Sequence, residues 1–76
     1  MARKKTPVTL AFGAAVRALR RERGYGQEGF AAHAGLDRSY VGAIERGEFN
    51  VSLQTIVKLA AALEVTAAEV LRRAGL

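Results

Sequence analysis

Residues 35–47 read "GLDRSYVGAIERG", a short amphipathic segment enclosed by two glycines. Asp37 offers a carboxylate where a helix N-terminus favours one, and Gly47 is a natural residue with which to close a helix. The segment therefore predicts a helix from Arg38 to about Arg46. On a helical wheel, Tyr40, Val41 and Ile44 fall between roughly 200° and 300° from Arg38 and form the core side. Arg38, Ser39, Gly42, Ala43 and Arg46 fall within about 140° on the outer side. That outer side is cationic and short, with Gly42 at its centre, where another surface can approach closely. A helix that only fills a core needs no such face. Taken alone, it is equally the face of a solvated helix on a small bundle.

The flanking sequence supplies the frame. Upstream, a helix starting near Gln27 buries Phe30, Ala31 and Ala34 and stops at Gly35. The tight turn "AGLD" joins it to the Arg38 helix, which is the helix-turn-helix arrangement. Before that, Phe12, Val16 and Leu19 recur at helical spacing, flanked by Val8 and Ala15, in a helix ending at Gly24. Downstream, Ser52 caps a fourth helix with a broad apolar face of Leu53, Ile56, Val57, Leu59, Ala60 and Leu63. "TAAE", residues 66–69, is a capping box opening a fifth helix with Val70 and Leu71 inward. No segment alternates with period two. The expected fold class is all-α: a compact bundle of five short helices containing a helix-turn-helix. Pro7 marks off residues 1–7 as a flexible basic tail from a domain spanning residues 8–76.

The chain has 76 residues, enough for one domain near the lower limit for folding unaided. It has no cysteine, so disulfides and thiolate metal sites are excluded and stability comes from packing. Twelve Lys and Arg against seven Asp and Glu give a net charge of +5, which favours a nucleic acid or another anionic surface as partner. No apolar run approaches the ~20 residues of a membrane span, and no apolar stretch follows the basic N-terminus as in a secretory signal. A cytoplasmic protein without membrane attachment is expected. His33, the only histidine, points away from its helix's apolar face. Without a second histidine, a glycine-rich phosphate loop or a carboxylate pair in a pocket, there is no equipment for catalysis, metal or cofactor.

The stretch "RALRRERGYGQEGFAAHAGLDRSYVGAIERGEFNVSLQTIVKLAAALEVTAAEVL", residues 17–71, resembles the phage-repressor type of helix-turn-helix domain. The shared pattern runs LR, a Gly, QE(x)(L/F)A, AG(L), a variable helix, IE(x)G, S(L) and (A)(A)(A)L(x)V. The likeness extends from residue 10 to 71, with every element in order. Within that family, "LDRSYVGAIERGEFNVSL", residues 36–53, is most similar to the controller proteins of restriction-modification systems.

The resemblance implies roles for particular residues. Arg38, Ser39 and Ala43 take positions from which the third helix reaches base edges of double-stranded DNA. An arginine there can donate two hydrogen bonds to guanine O6 and N7, a serine bonds several bases, and an alanine methyl suits thymine. Gln27, Tyr40, Arg46, Asn50 and Ser52 take phosphate-contacting positions, Gln27 at the start of the second helix and Asn50 and Ser52 before the fourth. Glu45 is expected to form a structural ion pair with Arg20 of the first helix. Two residues depart from the pattern. Gly26 stands where Ser, Thr or Asn usually caps the second helix, and Phe49 stands where controller-type relatives often carry a basic residue.

The function so implied is a sequence-specific transcriptional regulator, a homodimer on a palindromic operator. The dimer is expected through the C-terminal half, where Phe49, Val65, Val70, Leu71 and Leu76 exceed what one small core hides. The alternative is a protein-interaction module of the same fold, such as an antitoxin-like partner of another chain, toward which Phe49 leans. "RKK", residues 3–5, reads either as a DNA-seeking arm or as a solubilising tail.

Overall fold

The computed structural model describes residues 5–76. Among these there are five helices and no strand: α1 (Pro7–Glu22), α2 (Gln27–Ala34), α3 (Arg38–Glu45), α4 (Leu53–Ala62) and α5 (Ala67–Arg73). The body measures 27 × 24 × 20 Å. Arg3 and Lys4 of the basic tail lie outside the described residues, and Lys5 is exposed. The tail does not extend to Pro7 as the sequence suggested. Pro7 occupies the first turn of α1, where its missing N–H is no loss. Thr6 caps it: its hydroxyl accepts from Thr9 N–H at 3.1 Å, while Thr9 Oγ1 accepts from Thr6 N–H at 2.9 Å. This is the reciprocal capping box, built here from two threonines.

The other boundaries follow from their caps. Gly35 ends α2 at φ 71°, and Gly47 follows α3 at φ 78°, both left-handed turns open to glycine. Ser52 and Thr66 accept from the N–H groups of Thr55 and Glu69 and so cap α4 and α5. The Thr66 box is only half made, because the Glu69 carboxylate turns to Arg72 instead. Asp37 occupies the N-cap of α3 by its backbone, but its carboxylate makes no cap bond. It accepts from the Ser39 hydroxyl. Glu64, after α4, takes a left-handed φ of 61°, a conformation that strains any residue with a side chain.

The core draws on every helix: Phe12, Val16 and Leu19 from α1, Phe30 from α2, Val41 and Ile44 from α3, Leu59 from α4, with Leu63, and Val70 from α5. The apolar faces read from the sequence for α1 and α4 are corrected at three residues. Val8 is exposed rather than part of the α1 core face, and Leu53 and Val57 point outward at 79% and 59% exposure. Val70 is fully buried, as its inward position in the fifth helix implied, and so does not belong to the apolar surplus. The apolar residues of α4 are too many for one face: the arc turned to the core takes Leu59 and Ala60, and the Leu53–Val57 arc is left in solvent.

Tertiary polar contacts lock the helix ends. Thr9 Oγ1 donates to Gly47 O at 2.7 Å, and Arg23 Nε donates to Leu63 O at 2.7 Å. Glu22 and Arg73 join the end of α1 to the end of α5 through a pair of hydrogen bonds. The Arg73 hydrogen bond, and then its charge, hold the Glu22 carboxyl below its ordinary pKa.

Candidate nucleic-acid interface

The first and second helices pack on α3 so that one flank is presented to solvent. An open cleft of about 450 Å³ runs along that flank, lined by Gln27, Asp37, Arg38, Ser39, Gly42 and Arg46. A second cleft, of about 290 Å³, is lined by Ser39, Tyr40, Ala43, Arg46 and Phe49. Ser39 and Arg46 line both and so form the ridge between them. Four residues singled out from the sequence, Gln27, Arg38, Ser39 and Arg46, thus converge on one concave surface, with Tyr40 and Ala43 beside it. Asn50 does not join them. It lines a separate apolar groove of about 70 Å³ with Val8, Phe12, Ile56 and Leu76. Ser52 lines neither cleft, and its hydroxyl is engaged at the cap of α4.

Two expectations about the outer side of α3 are overturned. Ala43 is only 3% exposed, at the base of the second cleft, where the Tyr40 and Phe49 rings pack edge to face with centroids 5.3 Å apart. Its methyl does not stand open to a base. Gly42 is also buried, and the groups that approach it belong to the protein itself. A Cβ at Gly42 would stand 3.1 Å from Arg46 Nη1 and 3.7 Å from Gln27 Oε1. On the wheel Ala43 borders the core arc, whereas Gly42 is covered by the side chains of Arg46 and Gln27.

Beneath the cleft lies a buried ionic cluster. Arg20 Nε donates to Glu45 Oε2 at 2.7 Å and Arg20 Nη2 to Glu45 Oε1 at 3.0 Å, with side-chain exposures of 7% and 2%. Arg20 Nη1 also donates to Tyr25 O at 2.7 Å, and Gln27 Nε2 donates to Glu45 Oε1 at 3.0 Å. The cluster therefore ties α1, the α1–α2 turn, the first residue of α2 and the last of α3. Such a two-pronged pair fixes orientation more than it adds net stability. Gln27 has one amide N–H committed inward, a restraint that the sequence did not signal.

Two further polar side chains of the face are paired as well. Ser39 bonds Asp37, and Arg46 Nε donates to Glu48 Oε2 at 2.7 Å. That hydrogen bond, reinforced by the Glu48 charge, raises the Arg46 pKa above its ordinary value. Arg38 is exposed, and it is the cation of the cleft for which no intramolecular acceptor is found among the described residues. His33 is exposed and stacks on Tyr25, with ring centroids 5.2 Å apart. Among the described residues no group of three or more His, Asp or Glu is arranged to hold a metal ion. No helix among them is long and apolar enough to cross a membrane.

A short helix set across a second by a tight turn, with a cationic flank in solvent, defines a helix-turn-helix protein. The chain belongs to the helix-turn-helix family, whose model matches residues 16–70. A hypothetical transcription factor of Neisseria meningitidis is 46% identical over 74% of the chain, which spans 53% of that longer relative. The restriction-modification controller protein C.AhdI of Aeromonas hydrophila has a crystal structure that superposes with a TM-score of 0.79. It is 50% identical, and the match covers 82% of this chain and 94% of that one. SinR, a master regulator for biofilm formation solved in complex with DNA, matches with a TM-score of 0.75 and 34% identity. That match covers 79% of this chain and 97% of SinR.

Proposed function

We propose that the protein is a sequence-specific DNA-binding transcriptional regulator of the restriction-modification controller type. The observation that carries this is the single uncommitted guanidinium of Arg38, at the start of α3, in a cleft whose other polar side chains are held by internal partners. A fixed frame with one wholly unpaired guanidinium suits reading guanine in the major groove. Ser39 is the second base-contacting residue. Arg46, Tyr40 and the start of α2 at Gln27 contact phosphates, which set register without choosing sequence. Ala43 has no direct base contact in this reading, and Asn50 and Ser52 serve at most the edge of the duplex. The likeness to a controller protein and to a regulator solved with DNA supports the same assignment. An intracellular location follows from a DNA target.

The test separates base reading from charge. Arg38→Ala is expected to lose about 1–3 kcal/mol on a duplex enriched from a random pool by the parent, and to relax base choice at one position per half-site. On scrambled duplex its loss should be smaller. Equal losses on both DNAs would mean that α3 does not read bases.

The regulator acts as a homodimer on a palindrome, with α4 as the contact. Leu53 and Val57 lie one turn apart on the same exposed face, and exposed Ala61 continues the stripe. Exposed apolar stripes of this kind favour a self-complementary partner. In a two-fold dimer the two α3 helices lie roughly 34 Å apart and meet half-sites about 10 bp apart or a near multiple. Because Leu53 is 79% exposed, Leu53→Asp leaves the protomer folded. Sedimentation equilibrium should show a reversible dimer for the parent and a monomer for the variant. A parent that stays monomeric even on DNA would remove the dimer.

A further inference from the structure

Arg46 is held differently from Arg38. Its Nε–H is taken by Glu48, one of the five N–H bonds a guanidinium can make, which leaves the Nη groups unspent on that carboxylate. The pair is anchored at its acidic end, since the Glu48 side chain is 19% exposed and that of Arg46 57%. On its other side the guanidinium lies against Gly42, where a Cβ would come within 3.1 Å of Nη1. No helical need explains that glycine: it stands inside α3, where alanine is the better helix former. Its bare backbone leaves room for the Arg46 head at the cleft floor beside Gln27.

We infer that Glu48 and Gly42 are positioning residues that preset the Arg46 guanidinium, its Nη edge turned into the cleft, as a clamp for a DNA phosphate. The inference rests on the DNA-reading assignment above. It runs against simple charge. An acid on a DNA-binding face repels phosphate, so removing it should strengthen binding. Positioning makes the opposite claim. Without Glu48, the Arg46 side chain is released into its many rotamers, and the phosphate contact has to order it again.

The probe is the duplex that the parent enriches from a random pool, with binding read by fluorescence anisotropy over a salt series. Glu48→Ala should bind it roughly three- to tenfold more weakly, the worth of one oriented hydrogen bond. Its log–log salt dependence should be shallower by up to about 0.9, one phosphate fewer. Glu48→Gln keeps an acceptor for the Nε–H and should stay closer to the parent than Glu48→Ala. In an Arg46→Gln background, Glu48→Ala should no longer weaken binding, since only the loss of the acid's repulsion remains. Gly42→Ala supplies an independent reading. Its thermal midpoint should rise, because the arginine head is free to move aside, while its DNA affinity falls. Glu48→Ala binding as tightly as the parent or tighter would overturn the inference, as would parental affinity in Gly42→Ala. A parent that enriches no duplex takes the DNA assignment down and this inference with it. An enriched duplex together with a tighter Glu48→Ala removes only the positioning role.

Discussion

Arg20→Met is expected to lower the unfolding free energy by about 3–5 kcal/mol, seen as an earlier midpoint in a urea titration. The size comes from what is left behind rather than from the strength of the pair. Glu45 is 2% exposed at its side chain and accepts two bonds from Arg20. Without them the Gln27 amide is its remaining side-chain donor, at 3.0 Å, and a buried carboxylate with one neutral donor is poorly solvated. Tyr25 O would also lose its partner. Small domains hold only about 5–15 kcal/mol in all, so the variant should be close to unfolding. The double variant Arg20→Met, Glu45→Leu should recover most of the loss, because two apolar groups of similar shape leave no stranded charge. If Arg20→Met unfolds with the parent, the cluster is not what orients α3.

The five helices were legible because their ends are written locally. Glycines at 35 and 47 and the hydroxyls of Ser52 and Thr66 announce boundaries without reference to the rest of the chain. The core residues Phe12, Val16, Leu19, Phe30 and Ile44 were legible for the same reason, since helical spacing reports a buried arc. What sequence periodicity could not give is the packing of one helix on another. Leu53 and Val57 counted in one broad apolar face with Leu59 and Ala60, because the pattern reports that residues are apolar and not which of two arcs the neighbours cover. The wheel placed Ala43 outside, because nothing local says that Tyr40 and Phe49 pack together over that part of α3. The site divides in the same way. The convergence of Gln27, Arg38, Ser39 and Arg46 follows from two short helices and one turn. The hydrogen bonds that commit Gln27 to Glu45 and Arg46 to Glu48 join separate segments and left no pattern to read. Glu48 itself carried no signal beyond an acid in a basic protein.

Gly13→Ala is expected to destabilise by about 3 kcal/mol, the upper end of ordinary overpacking penalties, although alanine is the better helix former. Gly13 lies inside α1, where glycine is unfavourable, so a reason must be sought in its neighbours. A Cβ there would stand 2.3 Å from Ile44 O and 2.7 Å from Glu45 O. Both are backbone atoms at the end of α3, which no rotamer change can move aside. Gly47 makes the reciprocal approach, since its Cβ would meet Leu10 Cα at 2.9 Å. The first helix thus lies directly on the C-terminal end of α3, backbone to backbone, and the Thr9 bond to Gly47 O seals the contact. The same contact brings Arg20 to Glu45 and so sets the tilt at which α3 presents Arg38 and Arg46. Gly29→Ala supplies the comparison. Its nearest neighbour, Tyr25 Cδ1, would be 4.0 Å from an added Cβ, so this substitution should stabilise by about 0.5–1 kcal/mol. Thermal and urea unfolding of the two variants should therefore move in opposite directions. Equal midpoints would mean that α1 and α3 stand further apart than backbone contact, and that something other than this crossing holds the DNA-facing helix in place.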